Sequence, residues 1–215
     1  MDSPLYTVSL WMAGAFMVIL LFCAGWFCYR PYNPTYMRSV PLYCLVNLLS
    51  EMIVFRFPAQ KGMIYNLFVG FELVYFAYFL TRVIDALWVK RLVWLLVGLN
   101  LGFQLIYLVK TDFHKFNVRA VLLESVILII PCLVYFREIF LTKRAVNLLR
   151  EPSFWMVTGI LFYTFLKIPV VLFTDYVWHH LSSTLGFELY SGNNFALIVT
   201  YTLFIKAMTC RRKVH

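Results

Sequence analysis

The sequence predicts an all-α, polytopic membrane protein with seven transmembrane helices. Three observations predict it. The 215 residues are 62% hydrophobic and only 13% charged, whereas a soluble domain has about 45–50% apolar and about 25% charged residues. Apolar runs of roughly 20 residues recur along the chain, the length an α-helix needs to cross a bilayer core of about 30 Å. The Lys and Arg residues gather at the ends of these runs. One seven-helix domain, 1–215, therefore accounts for the chain and leaves no room for a soluble catalytic or nucleic-acid-binding domain. The formal charge of +9 follows membrane topology and implies no nucleic-acid partner.

The first span covers about 6–28. No Lys or Arg precedes it, and its apolar run is longer than a signal-peptide core, so it reads as an uncleaved helix. Arg30-Pro31-Tyr32-Asn33-Pro34 breaks it. The second span, about 39–56, holds Asn47, Ser50 and Glu51. A short turn, 57–62, leads to the third span, about 63–81. That span is apolar and aromatic nearly throughout, yet it carries Asn66 and, near its middle, Glu72.

A basic connector with Asp85 and Trp88 precedes the fourth span, about 91–109. Asn100 and Gln104 lie one turn apart on one face of it. A polar loop with Asp112, His114 and Lys115 follows. The fifth span, about 118–140, has Glu124 near its start and Pro131 as a kink site. The loop 141–151 is rich in Lys and Arg. Pro152 suits a first helical turn, opening the sixth span at about 153–174, with Lys167 deep inside and Pro169 after it. The stretch 175–193 reads as the longest connector. The seventh span, about 194–210, ends in Arg211-Arg212-Lys213.

A 3+1+3 arrangement is one reading of this order. Spans one to three and five to seven would run in the same direction, with the fourth as the inverting link. Tyr65-Asn66-Leu67-Phe68 aligns with Asn193-Asn194-Phe195-Ala196. The competing explanation is that any two apolar, aromatic spans align this well.

The groups that stand out are charges in apolar surroundings. A carboxylate at bilayer depth costs about 2.5–3.5 kcal/mol on insertion scales, and such a group faces the bundle interior. Glu72, Glu51 and Lys167 form the expected ligand-binding or ion-pair cluster, with Lys167 pairing with Glu72 or Glu51. Asn47, Asn66, Asn100 and Gln104 add hydrogen-bonding capacity to it. The plainer explanation for all seven is packing: an ion pair and amide bonds that set helix register.

No metal site and no cofactor are expected. The five cysteines lack the paired spacing of a metal site and read as small buried hydrophobes. Asp175, His179, His180 and Glu188 gather in the last connector, but the adjacent histidines lack helical ligand spacing. No His-Glu-x-x-His, phosphate-binding Gly loop or Gly-x-Ser-x-Gly occurs, which argues against an enzyme.

Several stretches carry a resemblance. They are Ser50-Glu51, Tyr65-Asn66-Leu67 with Glu72, and Glu151-Pro152-Ser153-Phe154-Trp155 with Tyr163. The Asn-led last span, ending in Cys210 and basic residues, is another. In these the chain resembles a family of small uncharacterised bacterial seven-helix integral membrane proteins. The resemblance covers most of the chain and implies the fold, but no activity.

The expected function is an integral membrane sensor or accessory module. It would detect a small ligand or lipid in an intramembrane polar cavity. Its partners would be membrane lipid and a protein at the basic loops carrying Arg137, Lys143, Arg144 and Arg150. The alternative is a small-solute or proton-coupled transporter using the same acids, followed by a lipid-acting enzyme.

Charge bias orients the chain. One set of loops and ends carries twelve basic residues: Arg30, Arg38, Arg82, Lys90, Arg91, Arg137, Lys143, Arg144, Arg150, Arg211, Arg212 and Lys213. The other carries five: Arg56, Lys61, Lys110, Lys115 and Arg119. The expectation is an inner (cytoplasmic) membrane protein with its N-terminus outside and its C-terminus cytoplasmic. A reporter fused after His215 should be active only in its cytoplasm-dependent form. Activity of an export-dependent reporter there would reverse the topology.

Overall fold

The computed structural model describes residues 4–29, 34–111, 115–141, 148–180 and 183–210. Among these residues there is no strand. The described residues form seven long helices: α1 (Pro4–Phe27), α2 (Val40–Arg56), α3 (Lys61–Val83), α4 (Leu87–Lys110), α5 (Val118–Leu141), α6 (Pro152–His180) and α7 (Ser183–Thr209). Six of them, α1 to α6, contain stretches long and apolar enough to cross a membrane. Short 3₁₀ turns at Thr35–Ser39, Pro58–Gln60 and Leu148–Arg150 lead into α2, α3 and α6. None of the five cysteines forms a disulfide.

The helix ends differ from expectation where charge was read as loop. α4 begins at Leu87, so Lys90 and Arg91 belong to its first turns. α6 continues to His180 and α7 begins at Ser183, so the expected connector 175–193 is largely helix. Hydropathy marks the part of a helix suited to hydrocarbon, whereas the backbone hydrogen bonds continue wherever the residues permit.

The chain divides into two compact units. One comprises residues 1–41 and 145–215, hence α1, α6 and α7; the other comprises 42–144, hence α2 after its first two residues and α3 to α5. This division does not follow the 3+1+3 boundaries.

In the first unit α7 packs against both α1 and α6. Asn194 of α7 donates to Ser9 Oγ of α1 at 3.0 Å, and both residues are buried. The Cys28 thiol, just beyond α1, lies 3.2 Å from Met208 Sδ. Gly159 of α6 permits the closest approach: a Cβ there would stand 2.8 Å from the Phe204 ring of α7. At the start of α6, the Trp155 indole N–H and the Cys210 thiol both donate to the Leu149 carbonyl, at 3.0 and 3.4 Å. Pro169 sits inside α6, where it removes one backbone donor.

In the second unit α3 is central and packs against α4 and α5. Of its most apolar window 61% is buried, against 50% in α5, 28% in α4 and 22% in α2. The α3–α4 link is only Ile84 to Ala86. There the Asp85 and Ala86 N–H groups each donate to one Glu138 oxygen of α5 at 2.9 Å. A carboxylate suits this place because the N–H groups at a helix start have no partner within the helix. Asn117 caps α5 through Ala120 N–H at 3.1 Å.

Replacing Gly159 by Leu should force Phe204 to move and cost about 1–3 kcal/mol. Gly98 of α4 is the control, because a Cβ there meets nothing within 4 Å. Gly98→Ala should leave stability unchanged or raise it by up to about 1 kcal/mol. Thermal unfolding in detergent micelles measures both.

Candidate functional site

The site begins with a spacing. Tyr43, Asn47 and Glu51 follow one another at four-residue intervals on α2 and so share one face. Tyr65 and Glu72, seven residues apart, share a face of α3. The 3₁₀ turn Pro58–Gln60 folds the two helices into a hairpin. The tyrosines and acids then meet crosswise. Tyr43 O–H donates to Glu72 Oε1 at 3.2 Å, and Tyr65 O–H donates to Glu51 Oε2 at 3.2 Å. Each helix supplies one donor and one acceptor.

Burial is unequal at the two ends of this seam. Glu72 and Tyr43 are 1% and 2% exposed, whereas Glu51 and Tyr65 are half-buried. Asn47 is buried between Tyr43 and Glu51 on α2. The Tyr43 ring lies in an aromatic setting built by α3. It stacks on Tyr75 with centroids 4.7 Å apart and is tilted against Phe76 at 5.2 Å. The ring is fixed by packing, so its hydroxyl is aimed. At 3.2 Å both hydrogen bonds are longer than the usual O–H···O distance of about 2.7 Å, so each is a soft restraint.

A second polar group lies among α3, α4 and α5. Asn66 Nδ2 donates to the Lys115 carbonyl at 2.9 Å, and its Oδ1 accepts from Asn117 N–H at 2.9 Å. One side-chain amide thereby holds the backbone of the α4–α5 loop at two points. Asn100 Nδ2 donates weakly to the Ala120 carbonyl at 3.4 Å. Three buried amide atoms here have no hydrogen-bond partner: Asn100 Oδ1, Gln104 Nε2 and Asn117 Nδ2. An unmet buried polar atom costs about 1–3 kcal/mol, so this node is under-satisfied.

A groove of about 360 Å³ runs beside this node between α3 and α4. Asn66 and Gln104 are its polar residues; the rest of the lining is Gly70 and apolar side chains. A Cβ at Gly70 would stand 3.1 Å from Gln104 Oε1, so the glycine gives Gln104 its place against α3.

The expected residues therefore fall into three places. Glu72, Glu51 and Asn47 belong to the α2–α3 seam. Asn66, Asn100 and Gln104 belong to the amide node. Lys167 lies in the other unit, buried on α6, with its Nζ 5.0 Å from the Tyr163 ring centroid one turn earlier. Its expected pairing with Glu72 or Glu51 joins residues of different units and stands as an expectation. Arg137 and Arg150 are exposed, while Lys143 and Arg144 lie outside the described residues. The side chains of Asp175, His179, His180 and Glu188 also lie outside them.

The sequence reading did not single out Tyr43, Asn117 or Glu138, and it named Tyr65 without giving it a partner. The four-residue interval from Tyr43 to Asn47 to Glu51 was the available signal, because a polar stripe on an apolar helix must face a partner.

No protein-family model, curated protein or solved structure matches the chain.

Tyr43→Phe should keep the ring stack and remove one partner of Glu72, costing about 1 kcal/mol. Tyr65→Phe should cost less, because Glu51 is more exposed. The double variant Tyr43→Phe, Glu72→Leu should be more stable than the sum of its single changes implies. Thermal unfolding of the four proteins in micelles measures this; strict additivity would show that the bond contributes nothing.

Proposed function

We propose that this chain is a multi-pass membrane sensor or accessory module. All seven helices cross the inner membrane, with the N-terminus outside and the C-terminus cytoplasmic. Six helices meet the length and apolarity needed. The seventh, α7, packs on two neighbours and buries Ser191, Asn194 and Thr200, so it needs less lipid-facing apolar surface.

The observation that carries the sensor reading is the α2–α3 seam. It places a buried acid, Glu72, and a half-buried one, Glu51, under long tyrosine hydrogen bonds. α2 is also the least enclosed helix of its unit. A ligand that competes for either acid shifts the hairpin by its differential affinity for the two arrangements. Asn47 supplies a further polar contact at the seam, while Asn66, Asn100 and Gln104 form a separate polar group among α3, α4 and α5. The basic residues Arg137, Lys143, Arg144 and Arg150 face a protein partner and anionic headgroups on the cytoplasmic side. Lys167 is a separate charged element of the first unit. The competing reading, a proton-coupled transporter, uses the same acids.

Proteoliposomes containing the purified chain separate these readings. The module should move no protons across the bilayer. A photo-cross-linker at Arg150 should capture one protein in cells, and Glu72→Gln should change the yield severalfold without changing expression. Proton flux abolished by Glu72→Gln would replace the sensor with a transporter. Lys167→Met with unchanged folding and cross-linking would remove Lys167 from the mechanism.

A further inference from the structure

Tyr65 and Asn66 are neighbours on α3, and each holds a different part of the second unit. Residues 115–117 lead into α5 without regular structure, so their backbone groups need partners from elsewhere. Asn66 provides two. Its Nδ2 donates to the Lys115 carbonyl and its Oδ1 accepts from the Asn117 N–H, both at 2.9 Å. The amide therefore holds the backbone on either side of Phe116, much as a neighbouring strand would. Asn66 and Asn117 are both buried. Asn117 in turn accepts from the Ala120 N–H at 3.1 Å, so the same two bonds also place the start of α5.

With its backbone held on both sides, Phe116 has a fixed place. Its ring lies nearly perpendicular to the Tyr65 ring, with centroids 6.5 Å apart. Tyr65 is also the donor to Glu51 of α2 at 3.2 Å, and Lys61 Nζ lies 5.6 Å from its ring centroid. One side chain of α3 thus meets α2 through its hydroxyl and the α4–α5 loop through its ring. Glu51 holds the hydroxyl and thereby keeps the ring against Phe116. A Tyr65 released from Glu51 regains rotamers that the bond denies it. The other end of the seam is built differently: Phe71, Tyr75 and Phe76, which pack with Tyr43, all belong to α3.

We propose that Tyr65 and Asn66 form a relay, through which the state of Glu51 on α2 sets the order of the α4–α5 loop and of the first turn of α5. A ligand that takes the Glu51 carboxyl releases the Tyr65 hydroxyl; the ring then leaves Phe116, and the loop keeps only the two Asn66 bonds. This rests on the sensor reading for its trigger and names the element that responds. With the N-terminus outside, that loop lies on the outer side, where Phe116 is exposed.

Hydrogen–deuterium exchange of the full chain in micelles tests this at the Asn117 and Ala120 amides, because exchange there follows local opening. Glu51→Leu, a change on another helix, should speed their exchange about fivefold, the effect of one ordinary hydrogen bond. Tyr65→Phe should do the same. The two together should do no more than either alone, since they break one bond. In a Phe116→Ala background, Glu51→Leu should have no effect on these amides. Asn66→Asp keeps an acceptor for the Asn117 N–H but loses the donor to the Lys115 carbonyl, and should also speed exchange. Tyr43→Phe, which breaks the other seam bond, should leave both amides as in the wild type; this separates a relay from a general loosening of the hairpin. Wild-type exchange in both Glu51→Leu and Tyr65→Phe would overturn the proposal. So would additive effects, an equal rise in Tyr43→Phe, an undiminished Glu51→Leu effect without the Phe116 ring, or unchanged exchange in Asn66→Asp. Any of these, with the Arg150 cross-link still dependent on Glu72, removes this inference alone. Proton flux abolished by Glu72→Gln removes the sensor reading and leaves the exchange result standing.

Discussion

A carboxyl group buried in the middle of an aromatic helix must be met by other side chains, because the helix has already used its own backbone donors. Glu72 imposes this condition on α2. Tyr43 meets it, and the ring that carries the donating hydroxyl is held by Tyr75 and Phe76 of α3 itself. Once Tyr43 opposes Glu72, the antiparallel hairpin places Glu51 opposite Tyr65. One interaction thus sets a register, and the register produces the second.

The same unit treats its amides differently. Asn66 is fully committed, since it holds two backbone groups of the loop that leads to α5. Asn100 and Gln104, one turn apart on α4, are only partly committed or not at all. A fold that needed these residues for register alone would do as well with apolar side chains of the same shape. Of the two, Gln104 lines the open groove between α3 and α4.

The first unit relies on close approach more than on polar pairing. Gly159 admits Phe204, and small or sulfur-bearing residues such as Ser9, Cys28 and Met208 lie where α1 and α7 meet. Where lipid removes most of the hydrophobic drive between helices, such approach supplies the packing energy. Lys167 fits this setting through its contact with the Tyr163 ring. That aromatic contact partly replaces the water that a buried ammonium group loses.

The sequence by itself determined the helices and the positions of the charges within them. Apolar runs of bilayer length are legible one residue at a time, and Pro152 and the turn at Pro58 mark helix starts chemically. An acid such as Glu72 is conspicuous in such a run. Its partner is not, because a tyrosine in an apolar helix serves packing and hydrogen bonding equally well. Tyr43 precedes Glu72 by 29 residues, and only the hairpin brings them together. The extra turns of α6 and α7 were hidden because hydropathy reports suitability for hydrocarbon, not backbone conformation. The tertiary structure alone decided that α1 joins α6 and α7, since Ser9 and Asn194 are 185 residues apart and their contact carries no local signal. It alone decided which amides are satisfied: composition counts donors and acceptors, but geometry brings them within bonding distance.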